Sequence, residues 1–322
     1  MIIIGGNHDS PSFLNAPKYL LEAFGATVIG DVPRIDGVPD LNQLVIPVVK
    51  NNQLLGVVCA VPWLRRGDLS SISKSENSDT NVYKELFSSL YDTACKKADN
   101  KDVPIILTAH LMSLPVNYET SDGVVGGADN VDYECFGNDF SYVALGHIHK
   151  SQKINQNPNM RYSGSPIAFS FNEKDYNHSL TSVSFENSTV SEIRLLEIPQ
   201  VFKLAVVPDF QGDYQQVRQA VTQFPDNMPA YLEINLLPDL RTSEFKQEII
   251  QILAKKRAKF CSWHIGKRLK INEGEDISVQ ESVEQFKAQK PIDILNDVFC
   301  RKYGKTLSDK QINLLQNLID EL

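Results

Sequence analysis

Three apolar runs in this chain each close on histidine: "MIIIGGNH" from residue 1, "IILTAH" from 105 and "YVALGHIH" from 142. Short β-rich aliphatic runs that stop at turn or polar residues read as buried strands. Helical patterns alternate with them, so the first 198 residues predict a layered α/β domain. In such sheets, ligand-binding and catalytic groups gather at the carboxyl ends of the strands. His8, His110, His147 and His149, four of the six histidines, take that kind of position. In "HIH", residues i and i+2 of an extended backbone point the same way, which predicts that His147 and His149 face one site. Gly5 and Gly6 before Asn7, and Gly146 before His147, let the backbone approach a bound ion.

Neutral imidazole is a common metal ligand, and an Asn amide oxygen is an acceptable hard donor. Asn7, His110, His147 and His149 are therefore candidate ligands. Each piece alone has a plainer reading: a lone strand-end histidine is commonly structural, and "GNHD" has turn formers. The three together, each behind an apolar strand, point to a metal site. His8, beside a ligand, is then free to act as general acid or to stabilise a leaving oxygen. Asp9 would hold either the His8 ring or the turn.

The rest of the chain fills in around these strands. "SPSFLNAPKYLLEAFG" predicts one helix closed by Gly25; "ATVIG", "LNQLVIPVV" and "LLGVVCAVPWL" predict strands. Residues 70–81, Ser-rich and polar, predict a mobile loop, and "VYKELFSSLYDTACKKA" predicts a helix. After Pro199 the pattern is β-α-β-α-β over about 201–272, then a polar linker and two short amphipathic helices. The expected domains are 1–198, 199–275 and 276–322.

Hydrophobic residues make up 42% of the 322 and charged residues 22%, enough for a sizeable core. No run is long enough for a membrane span. The five cysteines are scattered without a CxxC pair, which favours reduced thiols in a cytoplasmic protein over a disulfide framework or zinc ribbon. A net charge of −8 excludes nucleic-acid binding through the whole surface. Any nucleic-acid contact would come from local basic patches, from metal ions or from a partner. "AKKRAKFCSWHIGKRLK" is one such patch, with Lys255, Lys256, Arg257, Lys267 and Arg268; Arg65 and Arg66 form a second. A solvated face explains these charge runs equally well.

"GNHD", the strand-terminal "AH" and "GHIH" resemble the later motifs of the calcineurin-like metallophosphoesterases. "VPWLRRGDL", "VALGHIHKSQ" and "RYSGSPIAFSFNE" resemble, more narrowly, the SbcD subunits of bacterial SbcCD nucleases, over nearly the whole chain. The resemblance implies a β-sandwich flanked by helices, a small capping domain and two metals, usually manganese, with magnesium the other candidate. It makes Asn7, His110 and His147 ligands of one metal and His149 a ligand of the other. His8 becomes the catalytic histidine, with Asp9 behind it; Tyr162, Gly164, Ser165 and Pro166 shape the wall. It implies hydrolysis of DNA phosphodiesters, as a duplex-end exonuclease and a single-strand or hairpin endonuclease, in repair, recombination and replication. It also implies docking of the C-terminal helices on an SbcC-type ATPase, through Leu295, Phe299, Leu307, Leu314, Leu315 and Leu318, and a homodimer within a heterotetramer.

The family pattern opens with an Asp-x-His strand and a Gly-Asp strand, which do not precede "GNHD" here. Gly30-Asp31 lies after it and reads as a turn. The expectation is an N-terminally truncated chain, with an incomplete second metal site and neutral ligands, that binds two metals poorly and cleaves little. Two other functions remain open: a phosphoesterase acting on nucleotides or phosphoproteins, and a non-catalytic fragment that docks on SbcC. His178 and His264 lie off the strand-end pattern and read as structural.

Overall fold

The computed structural model describes residues 1–72, 79–113, 130–264, 307 and 311–312. The fold is mixed α/β. Strand β1 (Ile2–Ile4) leads through helices α1 (Pro11–Asn15) and α2 (Lys18–Ala23) to β2 (Thr27–Ile29), and β1 and β2 pair in parallel. The single predicted helix is thus two, because Pro17 has no N–H with which to continue the ladder. Gly25, at φ +76°, ends the second of them, as predicted. A short hairpin, β3 (Arg34–Ile35) and β4 (Val38–Pro39), follows.

Strands β5 (Val45–Lys50), β6 (Gln53–Val61), β7 (Ile105–His110), β8 (Tyr142–Gly146), β9 (Gln152–Ile154) and β10 (Asn157–Tyr162) form one sheet in the order β5-β6-β7-β8-β10-β9. The four inner strands run parallel, and the outer two are antiparallel to their neighbours. "IILTAH" makes β7 because its alternate residues Ile105, Leu107 and Ala109 are buried. Helix α3 (Arg66–Ile72) and helix α4 (Asp79–Ala98) extend into both ends of the predicted 70–81 loop, a correction; 73–78 lie outside the described residues. Helix α4 buries Val82, Leu86, Leu90, Ala94 and Ala98 at steps of four, with Tyr83 and Phe87 beside them. That i, i+4 spacing puts one apolar stripe on the sheet. Ile2 and Ile4 of β1 join the same core.

Next, β11 (Ser179–Glu186) and β12 (Thr189–Glu197) form a hairpin. Strands β13 (Lys203–Gly212), β14 (Ala230–Leu236) and β15 (Lys259–Trp263) are parallel and are connected by α5 (Tyr214–Gln223) and α6 (Ser243–Leu253). This is the β-α-β-α-β order read from the sequence. Its separate core includes Val217 and Val221 of α5 and Phe245, Ile249 and Leu253 of α6. Asp213 and Gln216 close a capping box on α5, and Thr242 caps α6. The chain divides into two compact units, 1–265 and 266–322; of the second, only Leu307, Gln311 and Ile312 are described, and Leu307 is buried. No helix among the described residues is long and apolar enough to cross a membrane.

Candidate functional site

Parallel strands finish level, and that places the site. Val61 of β6 aligns with Ala109 of β7, and Ala109 with Leu145 of β8. Trp63, His110 and His147 therefore leave the sheet side by side along its carboxyl edge. The Trp63 main-chain N–H donates to the Gly5 carbonyl at 2.8 Å, which ties the end of β1 to that edge and delivers Asn7. The glycines permit this approach: a Cβ on Gly5 would lie 2.5 Å from the Gly30 oxygen, and one on Gly6 would lie 2.7 Å from His110 Cε1.

Asn7 Oδ1 lies 3.0 Å from His110 Nε2. The His110 and His147 rings meet edge to face at 5.4 Å, and Trp63 stacks on His147 at 5.5 Å. Burial, followed by the neighbouring His147, pushes the His110 imidazole down to about 4. Burial, followed by His149 and His8, pushes His147 down as well. The two central rings, His110 and His147, are therefore neutral at neutral pH.

His147 and His149 do not share an extended backbone, contrary to the i, i+2 expectation. Strand β8 ends at Gly146, and His147 takes φ +111°, a conformation uncommon outside glycine. His147 consequently joins His110 and Trp63, while His149 turns to Glu173, its Nδ1 2.8 Å from Oε1. Asp9 holds the turn: its carboxylate accepts the Gly6 N–H at 2.7 Å. His8 lies next to it, between Asn7 and the exposed Asp9. Tyr162 is fully buried; its hydroxyl accepts from Ser113 N–H at 2.7 Å and donates to the Leu111 carbonyl at 2.9 Å, bracing the segment after His110. Gly164, at φ +81°, packs against His149 and Ser151. Among the described residues no three His, Cys, Asp or Glu side chains form a metal-holding group. The cluster's additional donor, Asn7, is of a different type.

Asp31 is a turn residue whose carboxylate accepts from the Asn15 amide at 2.8 Å. The His264 ring pairs with Glu233 at 2.5 Å, and His178 is buried with its Nδ1 on the Ser165 carbonyl at 2.9 Å. Arg65 is exposed and donates its main-chain N–H to Asp68 at 2.9 Å; Arg66 opens α3. Lys255 is exposed, and Arg257 donates its main-chain N–H to the Asp226 carbonyl at 2.8 Å, which leaves its guanidinium unused by that bond. Lys256 is not free for phosphate: its ammonium donates to the Thr222 and Phe224 carbonyls at 2.9 and 2.8 Å and pairs with Asp226. These three acceptors use its three N–H groups. Lys267 and Arg268 lie outside the described residues. Sequence reasoning missed Trp63 and Glu173. Trp63 carried a signal, two residues beyond a buried strand; Glu173, in "SFNE", carried none.

The arrangement defines a mixed α/β protein with an imidazole cluster at the carboxyl edge of a largely parallel sheet. On sequence, the chain is similar to the SbcD subunits of bacterial SbcCD nucleases. It is 28% identical to the SbcD subunit of the SbcCD nuclease of Escherichia coli K12 over 273 residues, covering 77% of this chain and 62% of that one. It is 31% identical to the corresponding Rhodobacter capsulatus subunit over 189 residues (56% and 46%) and 30% identical to that of Bacillus subtilis over 204 (61% and 50%). The chain thus spans about half to three-fifths of the length of these relatives. No family model matches it.

Proposed function

We propose that this chain is the nuclease subunit of an SbcCD-like complex, with a metallophosphoesterase site built on Asn7, His110 and His147. The convergence of these residues on one sheet edge, in a chain similar to SbcD nuclease subunits, carries the reading. Asn7, His110 and His147 would hold one cation; without it, the His110 Nε2–H donates to Asn7 Oδ1 at 3.0 Å. Ligating imidazoles must be neutral, and burial keeps His110 and His147 so. A divalent cation there, Mn²⁺ by the family resemblance, would polarise a phosphoryl oxygen and lower the pKa of a bound water. His8, next to Asn7, donates a proton to the leaving oxygen, and Asp9 fixes the turn that presents it.

A second cation would have His149 as its ligand, and the nearby Glu173 carboxylate is already taken up by His149, Phe169, Ser165 and Ser170. Mn²⁺ favours oxygen and carboxylate donors. We therefore infer tight binding of at most one cation and slow cleavage. Lys255, Arg257 and Arg65 remain as phosphate contacts, and an ATPase partner of the SbcC type supplies the remaining DNA affinity. Phe13, Tyr19, Leu20 and Phe24, all exposed on and beside α1 and α2, suit the interface with a second copy.

The test is Mn²⁺ calorimetry together with cleavage of a hairpin DNA by this chain in complex with an SbcC-type ATPase. Slow Mn²⁺-dependent cleavage, lowered 10²-fold or more by His8→Ala at unchanged Mn²⁺ affinity, is expected. ATPase binding without cleavage favours the docking-fragment reading, to which the neutral donor set points.

A further inference from the structure

His149 is pinned at two points. Its carbonyl accepts the Ser165 N–H at 2.9 Å, and its ring Nδ1 meets Glu173 Oε1 at 2.8 Å. Glu173 is 2% exposed and is the only buried acidic residue among those described. Its other partners all donate: the Phe169 N–H at 3.1 Å and the Ser165 hydroxyl at 3.3 Å to Oε2, and the Ser170 hydroxyl at 3.3 Å to Oε1. His178 Nδ1 bonds the Ser165 carbonyl at 2.9 Å and so carries its proton; the Ser165 hydroxyl, 3.3 Å from that nitrogen, therefore donates to Glu173 or to the His149 carbonyl at 3.5 Å. Burial works against the Glu173 charge, but the bonds from His149 and Phe169 outweigh it and leave the carboxyl below its ordinary range.

A carboxylate can only accept. The proton of a neutral His149 ring must therefore lie on Nδ1, which leaves the lone pair on Nε2. The ring is 41% exposed, so Nε2 is open to a ligand, and Phe169 packs beside it with ring centroids 5.5 Å apart. Metal-ligating histidines commonly donate their second N–H to a carboxylate in this way.

We propose that Glu173 is a positioning residue of this site: it fixes His149 as the Nδ1–H tautomer and offers Nε2 to a divalent cation. The proposal rests on the cation reading above. The test is ring ¹⁵N NMR of the metal-free chain, assigned with His149→Gln, alongside Mn²⁺ calorimetry. Wild type shows Nδ1–H at His149. Glu173→Ala loses that preference and weakens the second, lower-affinity Mn²⁺ site 10- to 100-fold. Glu173→Gln, whose amide oxygen still accepts, restores the tautomer and most of the affinity, an outcome a mere loop brace does not produce. An Nε2–H ring in wild type overturns the proposal without any variant. A second Mn²⁺ bound by wild type with unchanged affinity in Glu173→Ala, or no second Mn²⁺ in wild type, overturns it alone, whereas a wild type that takes up no Mn²⁺ at all overturns the cation reading with it.

Discussion

Replacing Gly6 by Ala should disable the site while leaving the sheet intact. The added methyl would fall 2.7 Å from His110 Cε1, 3.0 Å from Nε2 and 3.1 Å from Nδ1. Ordinary contact begins near 3.4 Å, so the ring must retreat by about 0.7 Å. It has little room, because His147 and Trp63 flank the ring. Overpacking of this kind costs roughly 1–3 kcal/mol. Misplacing a reacting group by about 1 Å costs on the order of 10²-fold in rate, or about 2.7 kcal/mol. The control is Gly67→Ala, since a Cβ there meets nothing within 4 Å and lies in helix α3, where Ala is favoured by roughly 0.5–1 kcal/mol. Urea unfolding and Mn²⁺ calorimetry on both variants separate packing from site geometry. A Gly6→Ala chain with wild-type Mn²⁺ affinity would refute the close approach of Gly6 to His110 on which the site depends.

Acid should destabilise the metal-free chain earlier than ordinary carboxylates would. The His110 pKa is about 4 in the folded chain against 6.5 for an unperturbed imidazole, so below pH 6.5 the unfolded state binds more protons. Stability then falls with pH until about 4, by roughly 3 kcal/mol from this group. Glu173, also depressed on folding, adds a loss lower still, as pH falls through its folded value. Urea midpoints at pH 7, 5.5 and 4.5 should show the decline, and His110→Gln should flatten its upper part; a flat wild type would contradict it. Lys256→Met should cost roughly 1–3 kcal/mol, because it strips the last carbonyls of α5 of their donor, whereas Lys255→Met should change stability by less than about 0.5 kcal/mol. If either lysine meets phosphate it is Lys255, read as a reduced salt slope of DNA binding in Lys255→Met and not in Lys256→Met.

Strands β1, β2 and β5 to β8 were legible because they are largely aliphatic runs, as buried strands of a parallel sheet can be; β3, β4 and β9 to β12 are not such runs and went unread. The helices α5 and α6 were legible because their apolar spacing and caps, Asp213 and Thr242, agree with one another. The break at Pro17 was legible in principle, since proline within a helical pattern is a local steric fact. The 70–81 stretch misled because polar composition marks exposure, and exposure is compatible with helix ends. Lys256 misled for a related reason: its neighbour Lys255 is exposed, but its own partners Thr222, Phe224 and Asp226 come from thirty or more residues away.

The histidines show where pattern reading stops. Strand periodicity predicts that His147 and His149 act together, and the rule holds only while the backbone stays extended. Gly146 is the last residue of β8, and the φ of +111° at His147 turns the next step out of the strand. A non-glycine residue held there is strained by roughly 1–3 kcal/mol, and surrounding contacts must over-determine it. Trp63 stacked on one face and His110 against the edge are those contacts, and both come from other strands. The same turn frees His149 to meet Glu173, 24 residues further on. One backbone angle thus divides a two-histidine motif between two environments, a neutral ring packed among aromatics and a ring anchored by a buried carboxylate. Sequence spacing carries the motif, but only tertiary contacts carry the division.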